Sequence, residues 1–252
     1  MRLTLYIKKS VQENAAIYFE QSKIAKKKLV GAKKALEFTK LRLEKFDEPR
    51  KKQQIKIKRK LEWFEKFRWF YTSENLLFIA GRDATTNEVI IKKHMGKNDL
   101  VFHSDFAGSP FGVLKEGNTS SEISLKECAG FIGSYSKAWK TSVTIADVFY
   151  VLPDQVTKEA PSGEYISKGS FMIYGKKNIL EAELKLFIGK MIDGKVMSGP
   201  LSAVKRLCEK YVQIIQGDEK TSETAKKIKQ KIEADDLDDV LKVIPVGSKL
   251  IN

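Results

Sequence analysis

The chain has 252 residues and a mass of 28.6 kDa, enough for one large domain or a domain with an appendage. With 42% hydrophobic and 31% charged residues a packed core is affordable, and two cysteines, Cys128 and Cys208, exclude a disulfide framework and a four-ligand zinc site built from them. The formal charge of +14 makes nucleic acid or an anionic surface the first partner to consider.

That excess is confined to the first quarter of the chain. Residues 1–60 carry 19 Lys/Arg against six Asp/Glu, whereas residues 61–252 carry 27 against 26. After a short strand near the N-terminus, Val11, Ala15, Tyr18, Ser22, Ala25, Leu29, Ala32, Leu36, Thr39, Leu43 and Phe46 recur at alternating spacings of four and three. That is the 3.5-residue seam of a coiled coil. Ser10 and Glu13 form a capping box at its start, and a helix over 10–46 would be about 55 Å long. Asp47-Glu48-Pro49 reads as a turn into a return helix with Ile57, Leu61 and Phe64 on one face, ending near Phe67. Two readings of this basic hairpin are open: a solvated helix face, or an arm that tracks phosphates.

From Trp63 onward the pattern changes to short β-rich runs. Strands are expected over 76–80, 89–93, 100–105 and 111–115, with 81–88 as a hairpin loop. A helix is expected over 124–140, capped by Ser124 and Glu127, with Leu125, Cys128, Ala129, Ile132, Tyr135 and Trp139 as its buried stripe. Strands over 145–151, 170–174 and 184–188 follow, then helices over 200–216, 221–232 and 235–241. The fold class is α+β, a mixed and mostly antiparallel sheet flanked by helices, preceded by the basic helical hairpin. No apolar run approaches 18 residues and the start does not read as a signal peptide, so a cytoplasmic protein without membrane contact is expected.

The densest polar cluster is Asp99, His103 and Asp105. On a strand, Val101, His103 and Asp105 share one face, and the pair could serve as base and orienter or as metal ligands; a structural hydrogen bond is the plainer reading. No GxSxG, HExxH or phosphate-binding glycine loop is present. Both cysteines fall on helical faces and read as core. The aromatic run 63–70 reads as core more than as a stacking platform, and the basic turn Gly175-Lys176-Lys177-Asn178 offers amides and two cations to a phosphate.

The order of these segments resembles the NFACT family, the NEMF/FbpA/Caliban-type factors of ribosome-associated quality control. The resemblance is carried by Trp63-Phe64-Glu65-Lys66-Phe67-Arg68-Trp69-Phe70, Gly81-Arg82-Asp83-Ala84 with Asn87-Glu88, and Asp99-Leu100-Val101-Phe102-His103-Ser104-Asp105. Tyr135-Ser136-Lys137-Ala138-Trp139, Pro153-Asp154-Gln155-Val156-Thr157-Lys158 and Ala160-Pro161-Ser162-Gly163-Glu164-Tyr165 follow in the same order. Gly169-Ser170-Phe171-Met172-Ile173 and Gly175-Lys176-Lys177-Asn178 complete the set, which marks the family's R domain (DUF814). The end of the chain looks archaeal-like. Ala107 stands where many members have a second histidine, and the coiled coil is short for the family.

The resemblance implies residues 1–66 as a short strand and basic coiled-coil hairpin, 67–180 as the R domain, and 181–252 as a strand and helix extension packed on it. It implies an RNA-binding module rather than an enzyme, without metal or cofactor, contacting rRNA, tRNA or peptidyl-tRNA on stalled large ribosomal subunits. The NFACT-N domain that opens full-length members is not read in this chain, so a separately encoded NFACT-N half is a further expected partner if the protein is split. The expected phosphate contacts on the arm are Lys26, Lys27, Lys28, Lys33, Lys34, Lys51, Lys52, Lys56 and Lys58. In the R domain they are Arg82, His103, Ser109, Lys158, Lys176 and Lys177. The alternatives are an adaptor that docks a partner protein through the coiled coil, and a metal-dependent nuclease using His103 and Asp105.

Overall fold

A computed structural model describes residues 4–44, 61–106, 108–159 and 165–251. The chain divides into two compact units, Met1–Lys60 and Leu61–Asn252.

The first unit is built on helix α1, Val11–Glu44, about 51 Å long. Its start is capped as expected: Ser10 N–H donates to Glu13 Oε2 (2.7 Å) and Glu13 N–H to Ser10 Oγ (3.2 Å). Residues 4–10 form no strand. They are tied back onto the helix instead, because Asn14 is buried and accepts from Tyr6 N–H (2.8 Å) while donating to the carbonyls of Tyr6, Lys9 and Ser10. Tyr18 Oη bonds both backbone groups of Thr4. Along the seam Leu29 and Leu36 are exposed. Its expected partner, the turn at 47–49 and the return helix with Ile57, lies outside the described residues, and so do Leu43, Phe46, Lys51, Lys52, Lys56 and Lys58 as side chains. Leu61 and Phe64 are not part of a return helix. Leu61 is exposed in an extended segment, and Phe64 sits in a 3₁₀ turn, Trp63–Lys66, and is buried.

The second unit carries two larger antiparallel sheets and a two-stranded one. Strands β1 (Arg68–Tyr71) and β2 (Leu77–Ala80) lead into α2 (Ala84–Val89), then β3 (Leu100–His103) and β4 (Gly112–Leu114). Helices α3 (Glu122–Ser134) and α4 (Lys137–Lys140) precede β5 (Ile145–Val151), β6 (Val156–Thr157), β7 (Met172–Ile173) and β8 (Asn178–Glu183). The first sheet has the order β1-β2-β4-β3-β5-β8, and β6 and β7 pair separately. Helix α3 crosses its inner face, where Phe131 stacks on Phe70 (4.8 Å) and meets Phe78 edge-on (5.7 Å). The chain continues through β9 (Leu186–Met191), β10 (Val196–Gly199), α5 (Leu201–Leu207), β11 (Cys208–Gln216), α6 (Thr221–Ile232), α7 (Leu237–Lys242) and β12 (Ser248–Leu250). The second sheet runs β10-β9-β11-β12, with α5 and α6 packed on it. Tyr135 Oη bonds Ser198 and donates to the Val243 carbonyl (2.6 Å), and Trp139 Nε1 donates to Ser248 Oγ (3.0 Å), so α3 and α4 anchor the C-terminal elements.

The α+β expectation holds, with three local corrections. Residues 89–93 are no strand, and 81–88 is no hairpin loop. Asp83 Oδ1 accepts from Thr86 N–H (2.8 Å) and Thr86 Oγ1 accepts from Asp83 N–H (2.9 Å), a capping box that starts α2 and carries it into a π-helical turn, Ile90–His94. The cap of α3 is Ser121, which accepts from Ile123 N–H, not Ser124. Ser124 donates to Glu74, and Glu127 accepts from Ser73 N–H and Ser202 Oγ, so both side chains of the expected box are engaged elsewhere. The helix also breaks at Tyr135–Ser136, where Ser136 caps α4. Finally, only the first half of 200–216 is helical. Tyr211-Val212-Gln213-Ile214-Ile215 is β-forming and pairs between β9 and β12.

Candidate nucleic-acid interface

Helix α1 places Lys23, Lys26, Lys27, Lys33 and Lys34 within about 120° of arc at ~100° per residue. No acidic residue occurs between Lys23 and Lys34 in the sequence. Among the described residues Lys23 meets Glu20 at 3.8 Å, and Lys26, Lys27, Lys28, Lys33 and Lys34 are exposed with no carboxylate in ion-pair range. The result is an exposed cationic strip about 16 Å long.

The second unit has a cleft of about 710 Å³ at one end of β1 to β5. Its lining comes from the β2–α2 turn, the turn after β3, the segment entering β4, Phe149 of β5 and residues 168–173 with Lys177. The β3–β5 register sets His103 opposite Phe149, and the imidazole stacks on Phe111 at 4.2 Å. Burial pushes His103 down to about 4, with Lys177 acting the same way and Asp105 opposing, so the ring is neutral at pH 7. Strand β3 ends at His103. Asp105 lies beyond it, and its carboxylate meets Lys177 Nζ at 3.4 Å rather than continuing the strand face. Among the described residues no three His, Cys, Asp or Glu side chains converge on a metal-sized site.

Two guanidinium groups belong to the lining. Arg68 donates to the Gly81 carbonyl and lies 4.7 Å from the Tyr135 ring centroid. Arg82 donates to the carbonyls of Lys66 (3.1 Å), Phe67 (2.9 Å) and Lys242 (3.0 Å). Burial lowers both pKa values, yet arginine stays charged. Their bonded partners are neutral carbonyls, so two positive charges lie in the cleft lining without an ion pair among the described residues. The nearby Asp83 carboxylate is held in the α2 cap, and hydrogen bonds from Thr86 keep its pKa low.

The loop 165–171 closes one side. Gly169 has φ +78°, and a Cβ there would lie 2.4 Å from Ala84 Cα, so the loop rests directly on α2. Lys158 Nζ donates to the carbonyls of Ser167 (2.7 Å) and Ser170 (2.9 Å), and Gln155 Nε2 to those of Tyr174 and Lys176. Of the six R-domain residues named from sequence, Arg82, His103, Ser109 and Lys177 line the cleft. Arg82 and Lys158 have their donors engaged by backbone, and Ser109 is buried, accepting from Ser104 N–H at 3.1 Å. Lys176 is exposed in the turn beside Lys177. Sequence reasoning missed Lys168, exposed on the cleft, and Arg68, although Lys168 directly precedes the Gly169-Ser170 motif. Residues 160–164 and Ala107, both singled out in the sequence, lie outside the described residues.

The aromatic run 63–70 is core except for Trp63, which is 45% exposed and stacks on His94 at 4.6 Å. Cys128 and Cys208 are buried, and burial raises both thiols, Cys208 to about 12. No described helix is long and apolar enough to cross a membrane.

Residues 66–175 match the model of the NFACT protein RNA binding domain. The chain is 37% identical over 199 residues to the archaeal Rqc2 homolog aRqcH of Methanocaldococcus jannaschii, covering 76% of this chain and 30% of that one. It is 40% identical over 179 residues to the ribosome quality control complex subunit NEMF homolog of Drosophila melanogaster, covering 68% and 18%. It thus spans less than a third of either relative. Among solved structures, the C-terminal part of the fibronectin/fibrinogen-binding protein from Streptococcus suis aligns over 70% of this chain and 77% of its own, with a TM-score of 0.41 and 17% identity, too loose a likeness to carry an argument. The RNA binding domain match, the two relatives and the order of the motifs around the cleft together make this chain a member of the NFACT family.

Proposed function

We propose that this chain is an RNA-binding module of ribosome-associated quality control, acting in the cytoplasm on large ribosomal subunits through rRNA, tRNA or peptidyl-tRNA. The observation that carries the reading is the exposed lysine strip of α1 on the same chain as an NFACT RNA binding domain. Duplex and structured RNA are held mainly through phosphates and shape, which suits such a strip. The module binds and does no chemistry of its own. Its boundaries are the basic hairpin over 1–66, the R domain over 67–180 and the extension over 181–252. A separately encoded NFACT-N half is a further partner in a split arrangement. The test is binding to bulk tRNA across a salt series. Replacing Lys26, Lys27, Lys28, Lys33 and Lys34 with Ala is expected to make log Kobs against log[salt] shallower by about 3 to 4. An unchanged slope would remove the arm from the RNA contact.

One observation favours a second reading. Helix α1 exposes Phe19, Leu36, Phe38 and Leu41, each more than half accessible, as an adaptor that docks a partner helix would. Changing these residues to Ser, while leaving the lysines, separates the two: an adaptor loses its protein partner and an RNA binder keeps its RNA.

A further inference from the structure

The cleft is built for more than phosphate tracking. Its rim carries Lys168 and Lys177, the latter 3.4 Å from the Asp105 carboxylate, and the guanidinium groups of Arg68 and Arg82 belong to its lining, bonded to neutral carbonyls. Two partly exposed rings, Phe106 and Phe171, reach its lining, and Phe171 meets Phe111 edge-on at 5.2 Å. Phe111 and Phe149 beneath them are buried, under the His103 imidazole and Lys177 Nζ (4.2 Å each), and Lys158 Nζ stands 5.1 Å from the Phe171 centroid. A phosphate backbone running over the surface would meet the lysines and not the Phe106 and Phe171 rings. About 710 Å³ lies within the range of pockets that enclose one small ligand and is far too narrow for a duplex. Aromatic rings beside cations are the arrangement that holds unstacked bases of single-stranded RNA.

We infer that this cleft receives one unpaired nucleotide of a structured RNA, its base against the Phe106 and Phe171 rings and its phosphate at Lys168 and Lys177. The inference rests on the RNA-binding reading above and adds what the second unit recognises: an extruded nucleotide rather than a helical backbone. A free nucleotide offers the same chemistry, but it lacks the flanking phosphates of an RNA that the rim lysines would meet.

The test uses the full chain and a stem-loop RNA with a single bulged 2-aminopurine, beside the same stem fully paired. The bulged RNA is expected to bind about tenfold more tightly or better, with a change in 2-aminopurine emission as the base stacks on protein rings. Phe171→Leu, which keeps the apolar volume but removes the ring, is expected to narrow that difference and abolish the emission change, with a melting profile verifying the fold. Lys168→Ala weakens the bulged RNA, and Lys126→Ala, far from the cleft, changes neither RNA. Equal binding of both RNAs with unaltered emission would overturn the inference and leave the RNA-binding reading standing. Competition by free AMP as effective as the bulged RNA would also overturn it, in favour of a small-molecule site. Failure to bind either RNA would overturn both readings.

Discussion

Arg82 shows how a motif residue can hold the fold together. Its guanidinium bonds carbonyls at the start of the second unit, Lys66 and Phe67, and near its end, Lys242, tying the β2–α2 turn to both. Removing it leaves three carbonyls short of a donor. Arg82→Met is expected to cost about 3 kcal/mol in urea denaturation. Arg82→Lys should recover less than half of that, because a single ammonium cannot span the fork. A near-wild-type midpoint for Arg82→Met would refute this role. His103 gives a pH signature. Its folded pKa, about 4, lies below its unfolded value, so the unfolded chain binds the extra proton between the two. Stability from this group is complete above about pH 6.5 and falls as pH drops toward 4. His94 is depressed in the same direction. His103→Gln should therefore flatten the stability–pH curve in that window relative to wild type, and parallel curves would contradict the assignment.

At the scale of elements, most of the architecture is legible from pattern: β3 and β4 are short apolar runs buried on both faces, and β5 alternates exposed and buried residues over its first four positions. What is not legible has identifiable causes. Val89-Ile90-Ile91 is as β-forming as any strand in the chain, yet a cap made by Asp83 and Thr86 turns it into a helix. The Ser124–Glu127 spacing satisfies the capping pattern, but its carboxylate is bound by Ser73 and Ser202, residues distant in sequence. The cleft was partly legible: His103, Ser109 and Lys177 are named by their motifs, whereas Arg68 reads as one more residue of an aromatic run. Only the fold shows it packed on Tyr135. Beside the Ser10–Glu13 cap, the segment before α1 is held on the helix mainly by the Asn14 side chain. Asn14→Ala should release residues 4–9 and cost roughly 1–3 kcal/mol. Loss of hydrogen-exchange protection at the Tyr6 amide would confirm it, and retained protection would rule it out.

For the whole molecule the governing fact is the uneven charge. On the proposed reading, the strongly basic first quarter would supply salt-sensitive affinity and the nearly neutral remainder a shaped recess. The same proposal sets that binding on large ribosomal subunits. Co-sedimentation with large ribosomal subunits over a salt series tests that claim most directly, comparing wild type with Lys26, Lys27, Lys28, Lys33 and Lys34 changed to Glu. The account predicts binding that weakens steeply with salt and is lost in the variant. Binding indifferent to both salt and charge reversal would contradict it.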